Sequence, residues 1–587
     1  MKPSQIKNFP PVSVHATTAP LPLLVVHLRG SQAQMGAQHG EILKQHGGWQ
    51  PTVAYYPTMV EQMLRGSALR PADRLLPSIA KPGLNALARR LYKHRPADLH
   101  ERTVAFMQAL GVDGAHAQHI LAMDMFQNAI GLAGRHLLGP FSDPWIRRGV
   151  PACSTLMAWG AATHNGQLLH GRNFDFPGVG VWDHAPELVF CSPDSGLRYG
   201  FATCRGADVA AISGFNEAGL VVTPHTRLHK DIAFSGAAIA DLCHDIIRKC
   251  QTIAQAEAVV RERQVASSWG LAISSAKDGR AAVIEAHAAA VGITYSDGDQ
   301  PWKTCTNHYL APELRHRELA PAPGWTWHTH SRKKRLEQAA HAALAGDKLT
   351  AQALFGWLGD NHDADLPEIE RAAGGVLAQS TGVHTVVVEP QQQVVHLSVG
   401  RCPSGRGALQ SVGWDWSQPV GGVEISAETA VQPSQQSLFD ASGPKGAAYR
   451  HYLRAAQLEA QGSKPKPVED ELLLALHAAA DDPTFLLLAG AVALRRREVP
   501  TAYARFARGT GVERSPFPLG RLHLWAMRTA RQLGDRDGEE RHRTALLALQ
   551  HPLVDLLQDQ ARTERDKPYS LRRLHNCPLH TLLGDIG

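Results

Sequence analysis

Cys153 stands in the stretch "GVPACSTLMAWGAATHNGQLLHGRNFDF", after a proline turn and at the start of an apolar run. A second apolar run ends in Arg172-Asn173-Phe174-Asp175. These residue types suit nucleophilic chemistry. A thiolate attacks an acyl carbon, and a guanidinium nearby lowers the thiol's pKa. Arg and Asp at this spacing on a strand project towards one region, although the same spacing also makes a structural ion pair at a strand end. A lone strand cysteine is most often a small buried apolar side chain. Three further stretches bear on the choice. "GFNEAGLVVTPH" holds Asn216, in what also reads as a turn between two strands. "TCTNHYL" holds Asn307, whose amide is able to donate to a developing oxyanion or simply to sit in a loop. "THSRKKRLEQ" holds Arg332 near the start of a helix, where a solvated basic face is the ordinary reading.

The elements that must position these residues fall into blocks. From about residue 20 to 150 the pattern is mainly helical. "SQAQMGAQHGEILKQHG" begins with a serine cap, and "PGLNALARRLYKH" and "DGAHAQHILAMDMFQNAIGLAGRHLL" share its spacing. From 153 to about 425 strands dominate. "STLMAWGAAT", "QLLHGRNFDF" and "AAISGFNEAGLVVTPHT" read as strands with turns at Asn165-Gly166 and Asn216–Gly219. "GLAISSAKDGRAAVIEAHAAAVGITYS" and "GVHTVVVEPQQQVVHLSVG" read as hairpins, the first with an Asp-Gly turn. "GAAIADLCHDIIRKC" and "TIAQAEAVVRERQ" read as helices. The class is α+β, with stacked sheets covered by helices. Residues 426–446 are rich in Ser, Gln, Ala and Pro and read as a linker. Residues 447–587 are nearly all helix, either a tetratricopeptide-like array with a repeat of roughly 34 residues or an irregular bundle.

Composition narrows the function classes. The length of 587 residues implies about two to four domains. A formal charge of +6 without a Lys/Arg block argues against nucleic acid as partner. The eight cysteines are scattered without a CxxC pair, which points to free thiols in a reducing compartment. With no signal peptide legible before Gly30, a cytoplasmic location is expected. No apolar run is long enough for a membrane span. "GDNHDADL" has the look of a Ca²⁺ ligand set but lacks EF-hand spacing, and no HExxH, P-loop or dinucleotide fingerprint occurs. No metal and no cofactor are expected.

Taken in order, these pieces resemble the penicillin acyltransferase and choloylglycine hydrolase branch of the N-terminal-nucleophile (Ntn) hydrolases. The likeness is carried by Ala152-Cys153, "GRNFD" at 171–175, "GFNEAGL" at 214–220, "TNH" at 306–308 and "SR" at 331–332. "VHLRGSQAQMGAQHG" at 26–40, with Gly30, Met35, Gly36 and Gly40, agrees, as do "GDNHDADLPEI" and "HTVVVEPQQQVVHLSVGRCP". The similarity spans about 25–403. It implies a four-layer αββα Ntn sandwich over 153–425, with 1–152 as a helical pro-segment or α-subunit. It further implies self-cleavage of the Ala152–Cys153 bond, Cys153 as nucleophile with its freed α-amino group as base, and a thioester intermediate. Arg172 and Asp175 would tune the thiol and amine. Asn307 and Asn216 would serve the oxyanion site, and Arg332 would support the network. Ala152 stands where some relatives carry Gly. The implied activity is hydrolysis of, or transfer from, a small acyl amide or acyl donor, with a carrier or partner protein on the C-terminal helices as an added expectation. The competing reading is an inert Ntn-like interaction protein that binds a partner through those helices.

Overall fold

The computed structural model describes residues 19–55, 86, 88–112, 121, 123–125, 127–128, 131, 152–210, 212–233, 235–319, 323–426, 430–431 and 442–586. The segment before Cys153 opens with a strand, where helix was expected. Its apolar run forms β1 (Leu23–Gly30). Leu24, Val26 and Leu28 pack under helices while Leu23 and Val25 face a second core, the period-two division a strand imposes. Gly30, at φ 109°, turns the chain into α1 (Gln32–His46). The expected serine cap is present: Ser31 and Gln34 each accept from the other's backbone N–H, a capping box. α2 (Ala97–Leu110) crosses α1 at Gly36 and Gly40, where a Cβ would strike the backbone of Arg102 and Phe106. The crossing therefore explains the two glycines of "MGAQHG". The expected helix in "DGAHAQHILAMDMFQNAIGLAGRHLL" lies largely outside the described residues, as does the start of the one in "PGLNALARRLYKH".

Next come β2 (Ala152–Ala158), β3 (Leu169–Asp175), β4 (Pro186–Pro193), β5 (Tyr199–Cys204), β6 (Ser213–Asn216) and β7 (Leu220–Thr226). α3 (Ile239–Lys249) and α4 (Ile253–Arg263) precede β8 (Trp269–Ser275), β9 (Arg280–His287), β10 (Ala290–Tyr295) and β11 (Trp302–Cys305). α5 (Pro323–Ala345) and α6 (Ala351–Leu358) lead to β12 (Gly382–Glu389), β13 (Val394–Val399), β14 (Ala408–Gly413) and β15 (Gly421–Ile425). The turns at Asn165-Gly166 and Asp278-Gly279 fall as read, each with its glycine at positive φ.

Among the described residues these strands form two large sheets. One has nine strands in the order β10-β9-β8-β7-β6-β5-β4-β1-β15, the other six in the order β11-β2-β3-β12-β13-β14. They face each other through Leu188, Phe190, Phe215 and Val221 on one side and Val386, Val388, Val395 and Leu397 on the other. α1 to α4 cover the outer face of the larger sheet. Leu336 and Ala340 of α5 and Leu354 and Leu358 of α6 cover Leu156, Leu169 and Val387 of the smaller. The result is an αββα sandwich. β1 runs parallel to β4 and antiparallel to β15, so the segment before Cys153 supplies an interior strand.

That segment is further locked by a buried charge cluster. His39 Nε2 lies 2.8 Å from Glu187 and its Nδ1 3.0 Å from Asp208, which a bidentate Arg102 also holds. Burial disfavours a charged imidazole, but the two carboxylates outweigh it and raise His39 to about 9.

Of the expected linker, Val431 bridges to Leu409, and helix resumes at Pro444. α7 (Pro444–Ala460), α8 (Pro465–Ala478), α9 (Pro483–Arg495), α10 (Val499–Val512) and α11 (Pro516–Leu533) follow one another in the region read as nearly all helix. α12 (Arg536–Ala548), α13 (Asp555–Asp566), α14 (Leu571–His575) and two short strands, β16 (Leu579–His580) and β17 (Asp585–Ile586), complete the described chain. α9 is buried on all sides from Thr484 to Leu494 and forms the centre of this layer.

Candidate active site

β2 and β3 pair antiparallel, with Ala152 opposite Asp175, Cys153 opposite Phe174 and Thr155 opposite Arg172. Strand alternation then divides their side chains between two layers. Cys153, Thr155 and Arg172 face the gap between the sheets. Ser154 and Asn173 face the helices, where Ser154 accepts from Arg332 of α5 and Asn173 donates to the Leu358 carbonyl of α6.

Cys153 is held at all its polar atoms. Its N–H donates to Asn307 Oδ1 at 2.9 Å. Its carbonyl accepts from Arg332 Nη1 at 2.6 Å. Arg172 Nη2 donates to its Sγ at 3.2 Å. Arg332 Nη2 also donates to Asn307 Oδ1 at 2.8 Å, so these two residues fix each other. Arg172 is anchored by the carbonyls of Ile212 and Pro224, and its guanidinium lies 4.8 Å from the Phe174 ring centroid. Asp175, opposite Ala152, is fully buried, and among the described residues neither carboxylate oxygen has a hydrogen-bond partner. Cys153, Arg172, Asp175, Asn307 and Arg332 are thus brought together from β2, β3, the loop after β11, and α5.

Three expectations change in the structure. Asn216 is not brought to the thiol. Its Nδ2 donates to the carbonyls of Ile247 and Cys250, and its Oδ1 accepts from the N–H groups of Ala218 and Leu220. Both ends of the amide fold the β6–β7 turn and dock α3, leaving no donor for an oxyanion. Arg332 is not on a solvated face near a helix start. It is buried in the third turn of α5. The Cys153 thiol is not depressed in the intact chain. Burial pushes it up, Arg172 pulls it back, and the Asp175 charge pushes it up again. Burial likewise raises Asp175, to about 7, against the pull of Arg332 and Arg172. Asn307 presents its oxygen to Cys153, while its Nδ2 donates to the Thr226 carbonyl.

Several supporting groups escaped the sequence reading. Thr329 Oγ1 accepts from the Asn307 N–H at 2.8 Å. The carbonyls of Pro224 and Thr226 hold Arg172 and Asn307. Backbone acceptors leave no side-chain signature, although both lie on β7, the strand that "GFNEAGLVVTPH" predicts. Ser154 was discoverable by parity, since the residue after an inward-facing strand cysteine must face the helix layer. Between the sheets, Ser274, His170, Thr223, Thr155 and His225 form a hydrogen-bonded ladder beside Arg172. Burial and then Arg172 lower His170 to about 3, so it stays neutral. Phe174 stacks on Phe176 at 5.0 Å and meets Trp182 edge-on, giving Cys153 an apolar aromatic neighbourhood.

The acidic loop does not present free ligands. Asp360 pairs with Arg335, Asp363 with Arg371 and Asp365 with Lys334. A second cluster, His229, Asp231 and His287, brings three donor atoms within 4.8 Å of one another. Its two imidazoles are stacked at 4.0 Å and 11°, so no single ion lies in both ring planes. Both nitrogens of His229 are also engaged, and Asp231 pairs with Arg317.

Residues 162–402 match the family of acyl-coenzyme A:6-aminopenicillanic acid acyl-transferase. This acyl-transferase match spans Arg172, Asp175, Asn307 and Arg332 and begins after Cys153. Solved structures similar to part of the chain include a Caenorhabditis elegans N-acylethanolamine-hydrolyzing acid amidase ortholog, at 14% identity and TM-score 0.24, covering 40% of this chain and 93% of that one. Another is a mutant of the conjugated bile acid hydrolase from Clostridium perfringens, at 9% identity and TM-score 0.29, covering 46% of this chain and 99% of that one. No curated relative matches the chain. No helix among the described residues is long and apolar enough to cross a membrane.

Proposed function

We propose that the chain is a self-processing cysteine amidohydrolase or acyltransferase acting on a C–N amide bond, with Cys153 as nucleophile. One observation carries the reading: Cys153 is gripped at N–H, carbonyl and sulfur by Asn307, Arg332 and Arg172, beside a buried carboxylate with no hydrogen-bond partner among the described residues. A buried unpartnered carboxylate is costly to a fold unless a cation is to arrive. Hydrolysis of Ala152–Cys153 supplies one. The Cys153 sulfur attacks the Ala152 carbonyl, the C–N bond breaks to give an ester on sulfur, and water then releases the Ala152 carboxylate. This frees an α-amino group on Cys153 that becomes the cation when it takes a proton. That amine titrates near 8 unperturbed and serves as base. It takes the thiol proton while sulfur attacks the acyl carbon. The tetrahedral adduct collapses to a thioester as the amine leaves with the proton. Water, or a second amine in transfer, then releases the acyl group and restores the thiol. The aromatic neighbourhood of Phe174, Phe176 and Trp182 supports an apolar acyl group.

Mass analysis under denaturing conditions tests the reading. Fragments of 152 and 435 residues are expected, the larger starting at Cys153. An active protein of intact mass would refute processing. Trapping of the acyl group on Cys153 by acid quench tests the thioester, and product analysis with and without added amine separates hydrolysis from transfer.

A further inference from the structure

The residues after His575 do not end as a free tail. Thr581–Asp585 lie across two elements that build the site. Tyr452 of α7 donates to the Thr581 carbonyl at 2.8 Å, and Ser380 donates to that of Leu582 at 3.0 Å. His328 Nε2 donates to the Leu583 carbonyl at 3.0 Å. Burial and then Arg332 hold His328 down to about 3, so the ring is neutral and the donor is the Nε2–H tautomer. Gly584, at φ 62°, fits against Ala373 and Gly374, where a Cβ would collide. Asp585 takes Arg521 of α11 and abuts Gly324 in the first turn of α5.

The placement of these contacts is specific. Gly324, His328 and Arg332 are spaced i, i+4, i+8, on one face of α5. Arg332 is one turn beyond the residue that binds Leu583. Ser380 precedes β12, whose Gly382 pairs with Asp175. Leu582 joins the same apolar cluster as Cys153, Phe174 and Trp182.

We propose that the segment Leu579–Ile586, carried by the helical region, is a positioning latch. It sets the axial position of α5, and hence Arg332, and the entry to β12, and hence the strand that registers Asp175. The helical region is then part of the catalytic unit, and its loss removes activity even on free small amides. The latch lies outside the matched family span of 162–402. Its activity arm rests on the reading of Cys153 as nucleophile; its thiol arm does not.

The test uses the full chain with His328→Phe, which lacks the donor to Leu583, His328→Gln, which keeps one, and Gly584→Val, which forces the latch off Ala373. Two quantities are read: kcat and KM on a short acyl amide, and the pH profile of Cys153 alkylation by iodoacetamide, followed on its own peptide. For His328→Phe and Gly584→Val, kcat should fall about tenfold to a hundredfold with KM changed by less than about twofold, the mark of misplaced reacting groups. Their alkylation profiles should move to higher pH, because Arg332 helps pull the thiol down. His328→Gln should restore both. A folded His328→Phe with wild-type kcat and an unmoved profile overturns the latch. If Gly584→Val does not fold, the His328 pair decides. If the wild type neither hydrolyses acyl amides nor transfers their acyl group to an added amine, the proposed function fails and the alkylation profile alone decides the latch.

Discussion

Asp175→Asn is the sharpest probe of why a buried carboxylate has no hydrogen-bond partner among the described residues. Burial, opposed by Arg332 and Arg172, moves Asp175 from the usual 3.8 to about 7. At about 1.36 kcal/mol per pH unit this corresponds to about 4 kcal/mol. The folded chain binds the proton more tightly than the unfolded chain. This contribution is therefore most favourable below about pH 4, declines as pH rises towards about 7, and is constant above. Asn keeps the shape and removes the charge. In a Cys153→Ala background, which keeps the chain intact, Asp175→Asn should match its parent at pH 4 and exceed it by up to about 4 kcal/mol at pH 8. Urea unfolding of the two proteins at pH 4, 6 and 8 measures this. A stability difference independent of pH, or a less stable Asn variant at pH 8, refutes the reasoning. With Cys153 present, the stabilised Asn variant should show slow or no fragment release, because its site no longer holds an anion for the new amine.

Other outcomes follow from the same geometry. Cys153→Ala should abolish fragment formation and activity, while Cys153→Ser retains slow cleavage, both read by mass and turnover. Arg332→Met should strand the Cys153 carbonyl and Ser154 and cost about 3 kcal/mol in urea unfolding, since a buried charged hydrogen-bond network loses its donor. The two fragments should co-elute on native gel filtration and separate only in denaturant, because β1 is hydrogen-bonded on both edges. His39, raised from 6.5 to about 9, gives stability present in full below about pH 6.5 and lost through about pH 9; His39→Gln should flatten that slope in thermal unfolding.

Most of the site was legible in the sequence. Cys153, Arg172, Asp175, Asn307 and Arg332 each have an ordinary structural reading when taken singly, and it is their order, through the family resemblance, that joined them; strand parity places Cys153 and Arg172 on one face and Asp175 on the other. Period-two runs and Asn-Gly or Asp-Gly turns indicated stacked sheets covered by helices, and the family resemblance supplied the four-layer αββα order. β1 was obscured because its short apolar run, flanked by Pro22 and carrying His27, does not show its distant partners β4 and β15. Asn216 misled because an Asx turn and an oxyanion donor use the same residue. The distinction lies in whether its N–H groups are taken by Ile247 and Cys250, a tertiary fact. Pro224 and Thr226 act through carbonyls that every residue has. The latch is two-residue strands and a turn, too short for any periodicity, and its partners are far away in sequence.

The position of β1 also bears on how the protein is made. Leu24 pairs with Glu187 on one edge and Glu424 on the other. The edge pairing of β1 with β15 therefore waits until residues near 424 have left the ribosome, and loop closure over such separations is slow. Under the proposed cleavage before Cys153, the same strand would belong to a separate molecule. Refolding of such a cut protein from denaturant would be a second-order encounter whose rate depends on concentration, whereas the uncut chain would refold at a rate independent of it.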